Sequence, residues 1–160
     1  MLREANEKDL KFLCQIEILA TDIYYSAGFS KEEALPRTKE NLLELLGEAT
    51  VIVYEENNII LGYAAWKKHE EHCHLEEISV DPRYQKRGIG SSLIKNNPFR
   101  NECKKTTLIC YKNAPWAYGL YLKLGFMPLQ QIPQELIRIW QEEADRGLDM
   151  SKRICMAMYY

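Results

Sequence analysis

The chain has 160 residues, 46% hydrophobic and 28% charged, enough for one domain with a real core, too few for two, and unlike a disordered polymer. A net charge of −2 excludes a sequence-independent grip on nucleic acid, and no apolar run reaches the length of a membrane span. The charged start Met1-Leu2-Arg3-Glu4 is not a secretory signal, and Cys14, Cys73, Cys103, Cys110 and Cys155 form no Cys-x-x-Cys pair. Reduced thiols in a cytoplasmic protein are therefore expected, with no disulfide framework, metal site or membrane partner.

Residues 1–5 suit a short opening strand. Asn6 and Asp9 resemble a capping box, and Leu10, Leu13, Cys14, Glu17 and Ile18 recur at helical spacing, which predicts a helix from Glu7 to Ala20. The aromatic stretch Tyr24-Tyr25-Ser26-Ala27-Gly28-Phe29 reads as a connection, either packed or facing a substrate. Pro36 suits the first turn of a second helix that runs through Leu46 and ends near Gly47. Thr50 to Tyr54 is strand-like, Glu55 to Asn58 makes a turn, and Ile59 to Trp66 returns as the hairpin partner. Gly62 interrupts that partner, where a bulge or a close approach of backbone is expected.

A polar connection, Lys67 to His72, leads to a strand over His74–Val80, a turn at Asp81-Pro82, and a loop through Gly88 and Gly90 into a helix. That helix, beginning Ser91-Ser92-Leu93-Ile94-Lys95, should stop at Asn96-Asn97-Pro98. Thr106–Tyr111 follows as a buried strand, then a helix over Pro115–Leu124 closed by Gly125, and a strand-like Phe126–Ile132. Pro133, with Leu136, Ile137, Trp140 and Ala144 at helical spacing, predicts a further helix closed by Gly147, and Lys152–Tyr159 pairs as a last strand. The order β-α-α-β-β-β-α-β-α-β-α-β reads as one α/β (α+β) domain over residues 1–160, without repeat or linker.

The chemistry concentrates after Val80. Two glycines flanking one residue, just before a helix start, let N–H groups converge on an anion, and Lys86 and Arg87 favour the same guest. The loop is not a Walker loop, because Ser91-Ser92 follows Gly90 without a lysine. Nor is it a dinucleotide fingerprint, since Leu93 stands where a third small residue is needed. An ordinary glycine turn before a surface helix is the plain alternative.

Two stretches carry a resemblance. Val80-Asp-Pro-Arg-Tyr-Gln85-Lys-Arg-Gly88-Ile-Gly90 is similar to the Gln/Arg-x-x-Gly-x-Gly signature of the GNAT-type N-acetyltransferases. Ala117-Tyr-Gly-Leu-Tyr121-Leu-Lys-Leu-Gly125-Phe126 resembles that superfamily's Ala-x-x-Leu-Tyr-x-x-x-Gly-Phe helix. The likeness implies a mixed, mostly antiparallel sheet of about seven strands flanked by helices and splayed at the cofactor-binding strand. It implies acetyl transfer from acetyl-CoA to a primary amine of a small molecule or peptide, by direct attack in a ternary complex. It also leaves room for a homodimer.

By the same resemblance, the pyrophosphate lies on Gln85, Lys86, Arg87, Gly88, Ile89, Gly90 and Ser91, and the pantetheine arm on the free main chain of Ile78 and Val80. Tyr121 matches the general acid. Strict alternation along the strand puts His74, Glu76, Ile78 and Val80 on one face and Leu75, Glu77 and Ser79 on the other. Leu75-Glu76-Glu77 is similar to the Leu-Glu-Asp of the diamine acetyltransferases, which points to Glu76 as base, with His74 second and Glu77 third. The family's asparagine contact falls to Asn113, one residue early, while Tyr24, Glu77 and Trp116 are the candidates for the acceptor pocket. A CoA-binding sensor or scaffold that has lost catalysis is the alternative from another class, and an unrelated nucleotide-binding domain is a third.

Overall fold

The computed structural model describes residues 1–160. In chain order the elements are β1 (Leu2–Glu4), α1 (Leu10–Ser26), α2 (Lys39–Glu48), β2 (Thr50–Glu56), β3 (Ile59–Lys68), β4 (His72–Val80) and α3 (Ile89–Lys95). Then follow β5 (Lys105–Tyr111), α4 (Pro115–Leu124), β6 (Met127–Pro128), α5 (Ile137–Asp145) and β7 (Arg153–Tyr159). The strands form one open sheet in the order β1-β2-β3-β4-β5-β7-β6, in which only β4 and β5 run parallel.

Helices cover both faces. On one, α1 and α2 bury Leu13, Ile16, Leu42 and Leu45 against Val53 and Tyr63. On the other, α3 and α4 pack Leu93 and Tyr121 against Trp66, Leu108, Phe126 and Met156. The alternating in–out pattern of β3 supplies both cores: Tyr63 and Ala65 to the first, Ala64 and Trp66 to the second. No helix is long and apolar enough to cross a membrane, and all five cysteines are unpaired.

Several boundaries differ from the expected ones. The first helix runs on to Ser26 and absorbs Tyr24 and Tyr25, because no glycine or proline intervenes before Gly28, whose φ of +95° stops it. The second helix begins after Pro36. The Arg37 N–H is taken by Glu17 Oε2 at 2.8 Å, and the Thr38 hydroxyl caps Asn41 N–H at 3.1 Å, so the helix starts at Lys39 and carries Gly47 inside its last turn. The hairpin turn needs only Asn57 and Asn58, at φ +52° and +61°, so Glu55 and Glu56 are strand. Of the segment Phe126–Ile132 only Met127–Pro128 is strand, with one further bond from the Leu129 N–H to the Cys155 carbonyl at 2.9 Å.

The expected bulge at Gly62 is present: Tyr54 faces Gly62 but Glu55 faces Ile60, leaving Leu61 as the extra residue. The close approach is there too. A Cβ at Gly62 would lie 3.0 Å from the Ser79 carbonyl oxygen, 3.2 Å from Val80 Cγ2 and 3.3 Å from Ile89 Cγ2.

Candidate active site

The parting of β4 from β5 creates the site. Their parallel ladder covers only His72, Cys73 and His74 against Lys105, Thr106 and Thr107. Beyond His74 the strands separate. Asp81 donates its N–H to the Leu61 carbonyl of β3 at 2.9 Å. With the ladder's period of two, the main-chain groups of Ile78 and Val80 face the opposite side, into the gap. An open edge of this kind is a template for an extended, amide-bearing ligand.

The gap opens into a cavity of about 630 Å³ whose floor and walls include Ile78, Val80, Gln85, Lys86, Gly88, Ile89, Gly90 and Ser91. Lys86 and Gly88 both take left-handed conformations, φ +62° and +79°, which folds the loop back on itself ahead of α3. The N–H groups from Lys86 to Ser91 have no hydrogen-bond partner within the protein. Gly90 sits against α4, where a Cβ would lie 3.2 Å from Leu120 Cδ2. Two candidates fall outside. Arg87 pairs with Glu56 at 2.9 Å and lies over the Tyr84 ring at 5.6 Å, away from the cavity. Asn113 is exposed on the turn before α4 and does not line the cavity either, because the helix starts at Pro115 with no side-chain cap.

Strict alternation along β4 does not hold. Ala65 faces Glu77 and Trp66 faces Leu75, so Glu76 is an extra, bulged residue. The inserted residue shifts parity. Leu75 joins Ile78 and Val80 in one core, while Glu76 meets Lys67 of β3 at 3.7 Å and Glu77 meets Arg37 Nε of the segment before α2 at 3.0 Å. Both glutamates line the cavity.

His74 does not line it. It is 2% exposed, its Nδ1 is hydrogen-bonded to Thr107 Oγ1 at 2.8 Å, and burial pushes its imidazole down to about 3. The ring is enclosed within the sheet on the Thr107 side and does not reach the cavity, unlike Glu76 and Glu77.

Tyr121 projects from α4 into the cavity, 7% exposed, its ring edge-on to Phe126 at 6.0 Å. Its hydroxyl has no partner in the protein. Burial raises its pKa well above 10, so it stays protonated and available as a donor. At the far end Tyr24 and Trp116 meet edge to face at 5.0 Å beside Phe29, and both line the cavity as well as packing with each other.

Several charged residues of this site escaped the sequence reading, Glu17, Arg37, Glu143 and Arg153 among them. Glu17 on α1 is 5% exposed; its Oε1 accepts from the Tyr63 hydroxyl and from Ser79 Oγ at 3.1 Å. Arg37 bridges to Glu77. Glu143 of α5 and Arg153 of β7 form a buried pair at 2.8 Å in the cavity wall. The signal for Glu17 was its place in the apolar stripe of α1, where a carboxylate must be compensated. The α5 segment, whose role the sequence left open, supplies Glu143 and Arg146 to the wall. No group of three or more His, Cys, Asp or Glu is arranged to hold a metal ion.

The family profile described as "Acetyltransferase (GNAT) domain" matches residues 47–128, from the end of α2 to β6. The chain belongs to the GNAT acetyltransferase family. Among solved structures, PaiA N-acetyltransferase of Thermoplasma acidophilum in complex with coenzyme A superposes with a TM-score of 0.77 at 15% identity, over 100% of this chain and 98% of that one. Ribosomal-protein-S18-alanine N-acetyltransferase of Escherichia coli gives 0.72 at 18% identity, covering 99% and 92%. A Mycobacterium tuberculosis protein in complex with CoA gives 0.70 at 15%, covering 100% and 99%. The GNAT fold thus spans the whole chain, and the family match runs through both the loop and the Tyr121 helix.

Proposed function

We propose that this GNAT protein is an acetyl-CoA-dependent N-acetyltransferase that acylates a primary amine of a small molecule or peptide by direct attack in a ternary complex. The observation that carries this reading is the gap between β4 and β5. One wall bears the free main-chain groups of Ile78 and Val80, the mouth is the loop from Gln85 to Ser91, and the Tyr121 hydroxyl projects inside. Unpartnered N–H groups from Lys86 to Ser91 suit a diphosphate, and the ammonium of Lys86 adds charge of the right sign.

The acyl donor supplies an activated thioester, and the residues do the rest. The strand edge orients an extended arm, and main-chain N–H near Val80 supports the developing oxyanion. The Tyr121 hydroxyl protonates the departing thiolate. Glu76 and Glu77, side by side because of the bulge, orient the ammonium of the acceptor on the α1–α2 side of the gap. Tyr24 and Trp116 give its carbon skeleton an aromatic wall.

The test is thiol release from acetyl-CoA with a panel of primary amines, in wild type and Tyr121→Phe. The variant should lose about 10²–10⁴-fold in rate while calorimetry shows CoA binding unchanged. Equal rates would remove Tyr121 from the mechanism. CoA binding with no turnover on any amine would favour a sensor or scaffold instead.

A further inference from the structure

We propose that Glu17, acting through the Ser79 hydroxyl, is the proton acceptor for the attacking amine. The proposal rests on the acetyltransferase reading above and deepens it. Five glutamates line the cavity: Glu17, Glu33, Glu76, Glu77 and Glu143. Four have a cation of their own. Glu33 is 2.8 Å from Lys152, Glu76 3.7 Å from Lys67, Glu77 3.0 Å from Arg37 and Glu143 2.8 Å from Arg153. A paired cation already occupies carboxylate lone pairs that an incoming proton would need, which disfavours those four as acceptors.

Glu17 forms no ion pair. Its partners are the Tyr63 hydroxyl from β3, the Ser79 hydroxyl from β4 and the Arg37 main-chain N–H from the segment before α2. The charged groups facing it are Glu77 from β4 and the Arg37 guanidinium, and on its own helix the Thr21 hydroxyl takes only its main-chain carbonyl. Burial and the negative charge of Glu77 raise its carboxyl to about 7, within the range where a base works at neutral pH.

Ser79 makes the connection. It lines the cavity one residue before Val80, and its hydroxyl donates to Glu17 Oε1 at 3.1 Å, which leaves its lone pairs for an N–H on the cavity side. One ammonium proton moves to Ser79 Oγ as the Ser79 proton moves to Glu17. The freed nitrogen pair then forms the N–C bond, the C–S bond breaks, and the thiolate takes the Tyr121 proton. The second N–H proton returns to Tyr121, and Glu17 releases its proton to solvent. Ser79 ends as it began.

The experiment measures kcat/KM against pH with an amine whose own pKa lies above about 9, so that a limb near neutrality belongs to the enzyme. Wild type should rise with pH through that limb as Glu17 ionises. In Glu17→Gln the limb should vanish and the rate at pH 8 fall by about 10²–10³-fold, with CoA binding unchanged by calorimetry. Ser79→Ala, a change at the cavity surface, should keep the limb while losing about tenfold, the proton then crossing by water. Carboxyl NMR of wild type against Glu17→Gln should assign to Glu17 a titration well above the ordinary glutamate range. Retention of the limb, with a rate within about threefold of wild type in Glu17→Gln, would overturn the proposal and return the role to Glu76. A wild type that titrates as described but acetylates nothing would instead sink the acetyltransferase reading.

Discussion

Gly62→Ala is a one-methyl change that tests whether the strand behind the gap is as tightly held as its contacts imply. The new Cβ would meet the Ser79 carbonyl oxygen at 3.0 Å, Val80 Cγ2 at 3.2 Å and Ile89 Cγ2 at 3.3 Å. The first of these is backbone within the β3–β4 ladder and cannot rotate away. The other two belong to side chains packed into the core beneath the loop. Over-packing of this kind costs about 1–3 kcal/mol, a fall in Tm of roughly 2–12 °C for a chain of this size. The relief available is displacement of Ser79 and Val80, the residues beside the gap, so CoA should bind more weakly too, tenfold for each ~1.4 kcal/mol of distortion. Gly47→Ala is the matched control: a helical glycine with nothing within 4 Å of its added methyl, expected to stabilise by about 0.5–1 kcal/mol and leave CoA binding alone. Thermal melts and calorimetry on both variants decide it. If Gly62→Ala melts with wild type and binds CoA equally well, β4 is not rigidly seated and the argument for a preformed gap fails.

Two other expectations concern stability. Arg153→Met leaves the Glu143 carboxylate buried without its partner and removes the donor to the Ile109 carbonyl at 3.0 Å, so urea denaturation should show a loss of about 3–5 kcal/mol, largely restored by adding Glu143→Leu. Glu17 links stability to pH. Its folded pKa lies above the unfolded value of 4.5, at about 7, so its contribution is fully present below 4.5 and is lost as pH rises through 7. Unfolding free energies from urea denaturation at pH 5 and pH 8 should therefore differ by on the order of 3 kcal/mol more in wild type than in Glu17→Gln, and an equal difference in both would refute the shift.

Local signals carried much of the fold. Asn57-Asn58 and Gly125 announce their turns because a positive φ has few tenants, and the seven registered pairs of β5 with β7 follow from β-favouring runs at both. The loop was visible as two glycines before a helix start, whereas Tyr121 was singled out only by the family resemblance. Less legible were features set by tertiary partners. Pro36 failed to start a helix because Glu17, nineteen residues earlier by number, holds the next N–H. His74 is suited to proton transfer by residue type, but its neighbours across the sheet keep it neutral and enclosed. Glu17 was visible only as a polar break in an apolar stripe; what it answers to lies on β3 and β4, some 46 and 62 residues away.

The misjudged alternation on β4 also explains the site. A strand of strict period two would have kept Glu76 on the face of Ile78 and Val80 and continued its ladder with β5. The extra residue at Glu76 comes two positions after His74, the last residue paired with β5, and a bulge bends its strand and raises its twist. The same insertion therefore accounts for the separation of β4 from β5, which frees the main chain of Ile78 and Val80. It also brings two consecutive carboxylates to the cavity, beside Lys67 and Arg37. Gly62 on β3 lets the displaced strand end lie close, and Gly90 lets α3 meet α4 beside Tyr121. An open main-chain edge on one side of β4 and two adjacent carboxylates on the other are what that single irregularity permits.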